Sequence, residues 1–308
     1  MKKFYFLMLC LLTLSVSAIA QTVKSVSSPD GNIKVDVRIG NGITYDVYCG
    51  EEKVLADCRM SMDIEGNVLG SLPRLQSVKR QKVNDVKRPF LKLKFAEVPN
   101  NYNEMTLVMK GNYSVVFRAY NDGLAYRFVT SLKGEVKVNH EDITVFFPQD
   151  AQLVLQQSDR YRTSYEERYS FVKSSEWLSF QKMAHYPVLA ITSGGTKILM
   201  SESDLCDYPA PFFRSNDANG FSSVFPRVPA VEKPRSDKSN DVLLRHPYIA
   251  KTQGTRSFPW RYFVIAKDEA ALVTNTMTCR LAQDSKLQDV SWIVPGQASW
   301  EWWNGAVP

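Results

Sequence analysis

Residues 33–49 read IKVDVRIGNGITYDVYC, and this stretch decides the fold class. Apolar side chains occupy every second position on both sides of Gly40-Asn41-Gly42, first from Ile33 to Ile39 and then from Ile43 to Cys49. A period of two is typical of a strand with one buried face, and the glycine-rich tripeptide is typical of a hairpin turn. The stretch therefore predicts two antiparallel strands that cover a core.

The same pattern continues along most of the chain. Turn signatures at Ser28-Pro29-Asp30-Gly31 and Asn121-Asp122-Gly123 punctuate it, because proline fixes φ and glycine accepts a positive φ. Further strands are predicted at Leu91–Phe95, Met105–Met109, Tyr113–Tyr120, Leu124–Thr130, Val136–Val138, Ile143–Phe147, Val188–Ile191, Lys197–Met200, Phe221–Phe225 and Tyr262–Ile265. Short strands between turn signals indicate a mainly β chain, and we predict a large antiparallel β-sandwich.

Few segments depart from this pattern. Asp268 is placed to cap a helix over Glu269–Val273. Residues 151–185 are less regular. Residues 226–257 are rich in Pro, Lys and Asp, so we predict a long surface excursion there.

The composition is that of an ordinary globular protein. The 308 residues are 44% hydrophobic and 23% charged, which is enough for a sizeable core and excludes a disordered chain. The net charge of +6 is spread without a long basic run, so nothing indicates a nucleic-acid partner.

Residues 1–20 have the three parts of a secretory signal. Lys2 and Lys3 form the positive segment, Phe4–Val16 is apolar, and Ala18-Ile19-Ala20 is a cleavage pattern. A membrane anchor is the alternative, but the apolar run is short for a bilayer span, and no later segment is long enough. We predict an exported protein, periplasmic or extracellular, cleaved near Ala20.

Four cysteines remain after that cleavage: Cys49, Cys58, Cys206 and Cys279. An exported protein can form disulfides, and four cysteines allow three pairings. No CxxC spacing indicates zinc or a redox pair. Buried free thiols are an equal alternative.

An aromatic stretch, Ser299–Gly305, lies close to the last residue of the sequence. Trp300, Trp302 and Trp303 surround Glu301 and Asn304. Flat aromatic faces beside polar groups are what a sugar site needs, and a Trp-rich core strand is the alternative.

The order of the motifs resembles glycoside hydrolase family 97, a family of exported α-glycosidases. The matching segments are Ser28–Gly31, Tyr102–Glu104, Tyr120–Phe128, Tyr165-Glu166, Glu202–Leu205, Tyr248–Thr252, Gly254–Arg261, Ser291–Gly296 and Trp300–Asn304. Each segment is weak alone, but their order over nearly the whole chain is specific.

The resemblance implies a domain organisation. Residues 22–290 would be an N-terminal sandwich of the galactose-mutarotase type, and residues 291–308 a linker and the first strand of a catalytic (β/α)8 barrel. Glycoside hydrolysis needs two carboxyl groups, and the family places both on later barrel strands. We therefore assign no catalytic residue, and Glu301 is expected only to shape the pocket. Trp303 and Asn304 are substrate-pocket candidates because site residues gather at the C-terminal ends of barrel strands.

The resemblance also implies calcium. Similar enzymes take one carboxylate ligand from a loop of the N-terminal domain, and Glu166 in Tyr165-Glu166-Glu167 matches that position. Calcium prefers several oxygen ligands, so the remaining ligands would come from the barrel. The alternative is a solvated pair of glutamates on a surface loop.

Other polar residues are weaker candidates. Asp204 can line the cleft, although a turn role is the alternative. Arg261, between Trp260 and Tyr262, is predicted to stack and pair at the domain interface. His140, His185 and His246 have no metal-ligand spacing and are predicted to be structural or surface residues.

These observations leave three functions open. The first is the front part of a calcium-dependent, exo-acting α-glucosidase or α-galactosidase that hydrolyses α-linked oligosaccharides and is inactive without its barrel. The second is a non-catalytic carbohydrate-binding sandwich, and the third is a scaffold domain without a ligand.

Overall fold

The computed structural model describes residues 21–89, 94–236 and 239–299. Twenty strands and two short helices make up the regular structure. The strands are β1 (Thr22–Ser27), β2 (Ile33–Gly40), β3 (Gly42–Cys49), β4 (Glu52–Ile64), β5 (Asn67–Leu69), β6 (Leu75–Lys87), β7 (Val98–Met109), β8 (Tyr113–Tyr120), β9 (Gly123–Phe146), β10 (Gln152–Ser158), β11 (Tyr169–Lys173), β12 (Met183–His185), β13 (Val188–Ile191), β14 (Lys197–Ser203), β15 (Phe212–Ser215), β16 (Gly220–Val224), β17 (Pro229–Ser236), β18 (Ser239–Arg245), β19 (Ala250–Ser257) and β20 (Trp260–Ala266). The helices are α1 (Glu269–Val273) and α2 (Met277–Leu281).

The fold is the predicted antiparallel β-sandwich, and the hairpin of residues 33–49 is confirmed. Strands β2 and β3 pair antiparallel, with Ile39 opposite Ile43 and Gly40 opposite Gly42. The alternate side chains Ile33, Val35 and Val37 are fully buried. A single large hydrophobic cluster joins these residues to side chains as far along the chain as Ile265, so both layers share one core.

Strand β9 is the centre of the sheet arrangement. Its first part pairs with β8 and β20, and its second part pairs with β4, β16 and β19. The three strands predicted at Leu124–Thr130, Val136–Val138 and Ile143–Phe147 are therefore parts of one 24-residue strand. A register shift on β19 between Gln253 and Thr255 marks the irregular middle of β9.

The prediction of a surface excursion was wrong, and the predicted strand Leu91–Phe95 is only partly described. The predicted surface excursion at 226–257 contains an exposed hairpin, β17–β18, and then strand β19, which is an integral partner of β9. Of the predicted strand Leu91–Phe95, the first three residues lie outside the described residues. Lys94 and Phe95 are described and lie in no strand.

The outer face of the sheet has a smaller core. Trp260, Tyr262 and Val264 of β20 are buried there beneath Met277 and Leu281 of α2. The preceding helix α1 begins as predicted, because Asp268 Oδ1 accepts a hydrogen bond from the Ala271 N–H at 2.8 Å.

Candidate functional site

The loop between β10 and β11 contains the predicted calcium ligand. Glu166 is exposed, and no hydrogen bond or ion pair engages it within the described ranges. Its neighbour Glu167 is partly buried, and Thr163 donates its hydroxyl hydrogen to Glu167 Oε1. Thr163 Oγ1 also accepts a hydrogen bond from the Tyr165 N–H at 3.1 Å. The loop therefore presents one free carboxylate and one fixed carboxylate.

Tyr165 is held in an unusual conformation on this loop. Its φ is +60°, in the left-handed region that bulky residues rarely adopt. Its ring packs edge-on against His185 with centroids 4.7 Å apart, yet half of the side chain is exposed. Strained backbone of this kind is concentrated at functional sites.

His185 is buried beneath the loop, which its sequence position did not indicate. Its Nδ1 lies 3.0 Å from the carbonyl oxygen of Tyr186, so Nδ1–H donates there. Nε2 faces Glu167 Oε2 at 3.5 Å, and neither atom has a hydrogen-bond partner among the described residues.

The electrostatics of Glu167 agree with this geometry. The hydrogen bond from Thr163 lowers the pKa of the Glu167 carboxyl, and His185 adds to that effect. The lowered pKa keeps this carboxylate charged at neutral pH. Within the described ranges no group of three or more His, Cys, Asp or Glu side chains could hold a metal alone.

A buried charge network lies behind the loop. Arg261 is fully buried and donates two hydrogen bonds to Glu141, at 3.0 and 2.7 Å, and one to Glu202. Burial raises the pKa of Glu202, and the pKa of Tyr165 is raised by burial and by the charge of Glu202. The network therefore extends from the core towards Tyr165. The predicted place of Arg261 at a domain interface was wrong, because it lies inside the sandwich.

Asp204 lies on the other face of the sheet. Glu202 and Arg261 are paired neighbours whose side chains point into the main core, whereas Ser203 and Trp260 point to the α2 side. Asp204 follows at the strand end and lines a cavity beside Trp260. It accepts hydrogen bonds from the backbone and side chain of Gln283, at 3.2 and 3.0 Å. The predicted site residues Asp204 and Glu166 are thus not brought together.

The remaining predicted site residues cannot be placed. Glu301, Trp303 and Asn304 lie outside the described residues.

The cysteines and histidines have structural surroundings. Cys49, Cys58, Cys206 and Cys279 are all free, and burial raises the pKa of the Cys58 thiol to about 12. His140 and His246 each pack against one aromatic ring, Phe225 and Tyr248 respectively. In the described part of the chain, neither helix has the length and hydropathy that a bilayer crossing needs.

Solved structures share this sandwich. A glycoside hydrolase family 97 enzyme in complex with acarbose, from Pseudoalteromonas sp. strain K8, superposes with a TM-score of 0.73 at 20% identity. The superposition covers 89% of this chain and 40% of that enzyme. A β-arabinopyranosidase superposes with a TM-score of 0.67 at 19% identity, over 79% of this chain and 40% of that one. At such identities the likeness shows the fold.

Sequence comparison shows the family. A family model described as Glycosyl-hydrolase 97 N-terminal matches residues 26–283, so the chain belongs to that family, as the motif order predicted. A retaining α-galactosidase from Bacteroides thetaiotaomicron is 34% identical over 99% of this chain and 47% of its own length. A probable retaining α-galactosidase from Streptomyces bingchenggensis is 26% identical over 92% of this chain and 41% of its own length. The chain spans less than half the length of these relatives.

Proposed function

We propose that this chain forms the N-terminal sandwich of an exported, calcium-dependent α-galactosidase that acts with retention on the ends of α-linked oligosaccharides. The observation that carries the proposal is the 34% identity, over 99% of the chain, with a protein named retaining α-galactosidase. A retaining enzyme needs two carboxyl groups about 5–5.5 Å apart. The proposal places both in a barrel that follows this chain, with the sandwich as one wall of the site.

The sandwich contributes a calcium ligand in this proposal. Glu166 supports this assignment because its carboxylate is exposed and has no hydrogen bond or ion pair among the described residues. Calcium accepts such oxygen ligands and, when bound, would polarise a sugar hydroxyl or orient a water. The hydrogen bond from the Tyr165 N–H to Thr163 Oγ1 fixes the loop backbone next to Glu166.

Calcium titration of the complete enzyme tests the ligand. We expect Glu166→Gln to weaken calcium binding by about tenfold or more, because the ligand loses its charge while its shape is kept. Isothermal titration calorimetry gives the affinity directly. Glu176→Gln is the matched control, since this glutamate is exposed and makes only a surface contact with Lys173. Unchanged affinity in Glu166→Gln removes the assignment, and a loss confined to Glu167→Gln moves it to that residue.

Hydrolysis assays test the activity itself. We expect the 308-residue chain alone to give no turnover of nitrophenyl α-galactoside or α-glucoside, because the acid and the nucleophile are assigned to the barrel. A protein that continues into the barrel should prefer the galactoside and release the α-anomer first, as NMR of the product can show. Turnover by the purified chain, a preference for the glucoside, or release of the β-anomer contradicts the proposal.

A further inference from the structure

Several segments that define the family resemblance meet at one cavity on the outer face of the sheet. Tyr102, Arg127, Asp204 and Trp260 each come from a different one of these segments, and all four line the cavity. The cavity lies beside α2, on the side of the sheet away from Arg261 and the Glu202 carboxylate. The calcium proposal does not use this cavity.

The cavity wall is built from stacked cations and rings. The Arg118 guanidinium lies 4.4 Å from the Tyr102 ring centre and 4.5 Å from that of Trp260. The Arg127 guanidinium also lies over the Trp260 ring, 4.1 Å from the ring centre. Glu104 fixes Arg118 through a hydrogen bond of 2.8 Å. The wall is thus rigid before any ligand arrives, which reduces the ordering cost of binding.

Three polar side chains of this wall have buried atoms that lack hydrogen bonds among the described residues. They are Asn100 Oδ1, Arg127 Nε and Arg280 Nε. Asn100 is 4% exposed and Arg280 is 7% exposed. Asp204 approaches Arg127 only to 3.6 Å, and burial followed by the charge of Arg118 lowers the pKa of Arg127. Buried polar atoms are nearly always satisfied, so these three atoms are open to a ligand or to ordered water.

The chemistry of such a ligand follows from these atoms. The Arg280 guanidinium already pairs with Asp122 and stacks on Tyr120, which leaves its Nε as the donor without a partner among the described residues. A ligand that engages all three atoms would accept hydrogen bonds from Arg127 and Arg280 and donate one to the Asn100 oxygen. The lining holds four cationic and three acidic side chains, so a strongly charged ligand gains little there. A hydroxyl group both donates and accepts, and a neutral polyol presents several at once. The ring of Trp260 is already covered, so hydrogen bonds rather than stacking would hold the ligand.

We propose that this cavity is a non-catalytic binding site for a neutral pyranose unit, which Asn100, Arg127 and Arg280 hold through hydrogen bonds. It would hold a sugar on the sandwich independently of hydrolysis, and it does not rest on the calcium or catalytic assignments.

Sugar binding to the purified chain tests the site. Saturation-transfer NMR and calorimetry with methyl α-D-galactoside should show saturable binding at one site. Arg127→Met and Asn100→Leu should each weaken it about tenfold, the size expected for a lost hydrogen bond to a charged or buried group. Arg74→Met, which removes an exposed arginine far from the cavity lining, should leave the affinity unchanged. Circular dichroism of each variant establishes that it is folded.

The alternatives give different results. Tighter binding of acetate or glucuronate than of the neutral glycoside overturns the sugar assignment and indicates an anion site. Absence of saturable binding, or full affinity in Arg127→Met, also overturns it, and then ordered water fills the cavity. Because these measurements need no turnover, they are separate from the failure or success of the proposed hydrolysis.

Discussion

At the scale of single residues, the side chain with the greatest energetic weight is Arg261. It is fully buried, and its two partners are the buried Glu141 and the largely buried Glu202. A buried guanidinium is tolerated only when carboxylates neutralise it and its hydrogen bonds are made. The three residues stand on β9, β14 and β20, so the network ties three neighbouring strands together.

Removing this cation should destabilise the fold severely. We expect Arg261→Met to lower the free energy of unfolding by about 3–5 kcal/mol, because two carboxylates would stay buried without a counter-charge. Urea unfolding followed by circular dichroism measures the change. Lys251→Met is the control, since its pair with Glu135 is half-exposed, is screened by solvent and should change the stability little. A similar, small effect in both variants would show that the buried network does not stabilise the sandwich.

Residue-level predictions from sequence succeeded where the signal was local. The Asp268 cap and the Gly40-Asn41-Gly42 turn depend on neighbours within a few positions, and both are present. Arg261 was misplaced because its partners are distant in sequence. Arg261 and its partner Glu141 are 120 positions apart in the sequence, and hydrophobic periodicity cannot indicate such a pairing.

At the scale of elements, the β17–β18 hairpin is an appendage on the sandwich. All of the described residues of β17 are exposed, and the hairpin forms a separate two-stranded sheet. At its base the backbones of Val228 and His246 are joined by a hydrogen bond of 2.8 Å. Asp241 is its contact with the β10–β11 loop, through Arg162 at 3.3 Å.

Deleting the hairpin should leave the core intact. We expect replacement of residues 229–245 by Asn-Gly to change the free energy of unfolding by about 1 kcal/mol or less, because the hairpin buries little apolar surface and the base is already paired. Thermal unfolding measures this. The matched comparison shortens β2 and β3 by two positions each on either side of their turn at residues 41–42. This change removes core side chains and should lower the melting temperature clearly. Equal losses would contradict the view of β17–β18 as an appendage.

Elements were predictable when apolar residues alternated. Strands β2, β3, β8 and β13 were located almost to the residue for that reason. Strand β6 was missed, because its 13 residues are mostly charged or polar and exposed, and it pairs with β7 alone within the described sheet. Charged edge strands of this kind resist unwanted pairing and carry no hydrophobic period.

At the scale of the whole molecule, helix α2 closes the outer core although it lies near the end of the described residues. Met277 and Leu281 are buried against Trp260 and Tyr262, and the Tyr262 hydroxyl is 2.6 Å from that of Thr278. The predicted domain boundary, which assigns residues 22–290 to the sandwich, stays a prediction. The last regular element that the structure describes ends at Leu281.

Two C-terminal truncations test which residues the sandwich needs for its stability. We expect removal of residues 285–308 to leave the melting temperature nearly unchanged. Removal of residues 268–308 should lower the free energy of unfolding by about 3 kcal/mol or more, since two buried apolar side chains at about 1.5–3 kcal/mol each are lost. Binding of a hydrophobic dye should rise in the longer truncation alone. Equal behaviour of the two proteins would show that α2 is dispensable.

The position of β9 has a consequence for synthesis on the ribosome. Its partners β4 and β8 precede it, but β16, β19 and β20 are made only when translation has reached residues 220–266. Until then the nascent polypeptide has one unsatisfied side along its longest strand, and such distant pairings close slowly. The sheet around β9 is therefore completed only after the last of these strands has been made, and an unpaired strand edge that persists during synthesis favours aggregation.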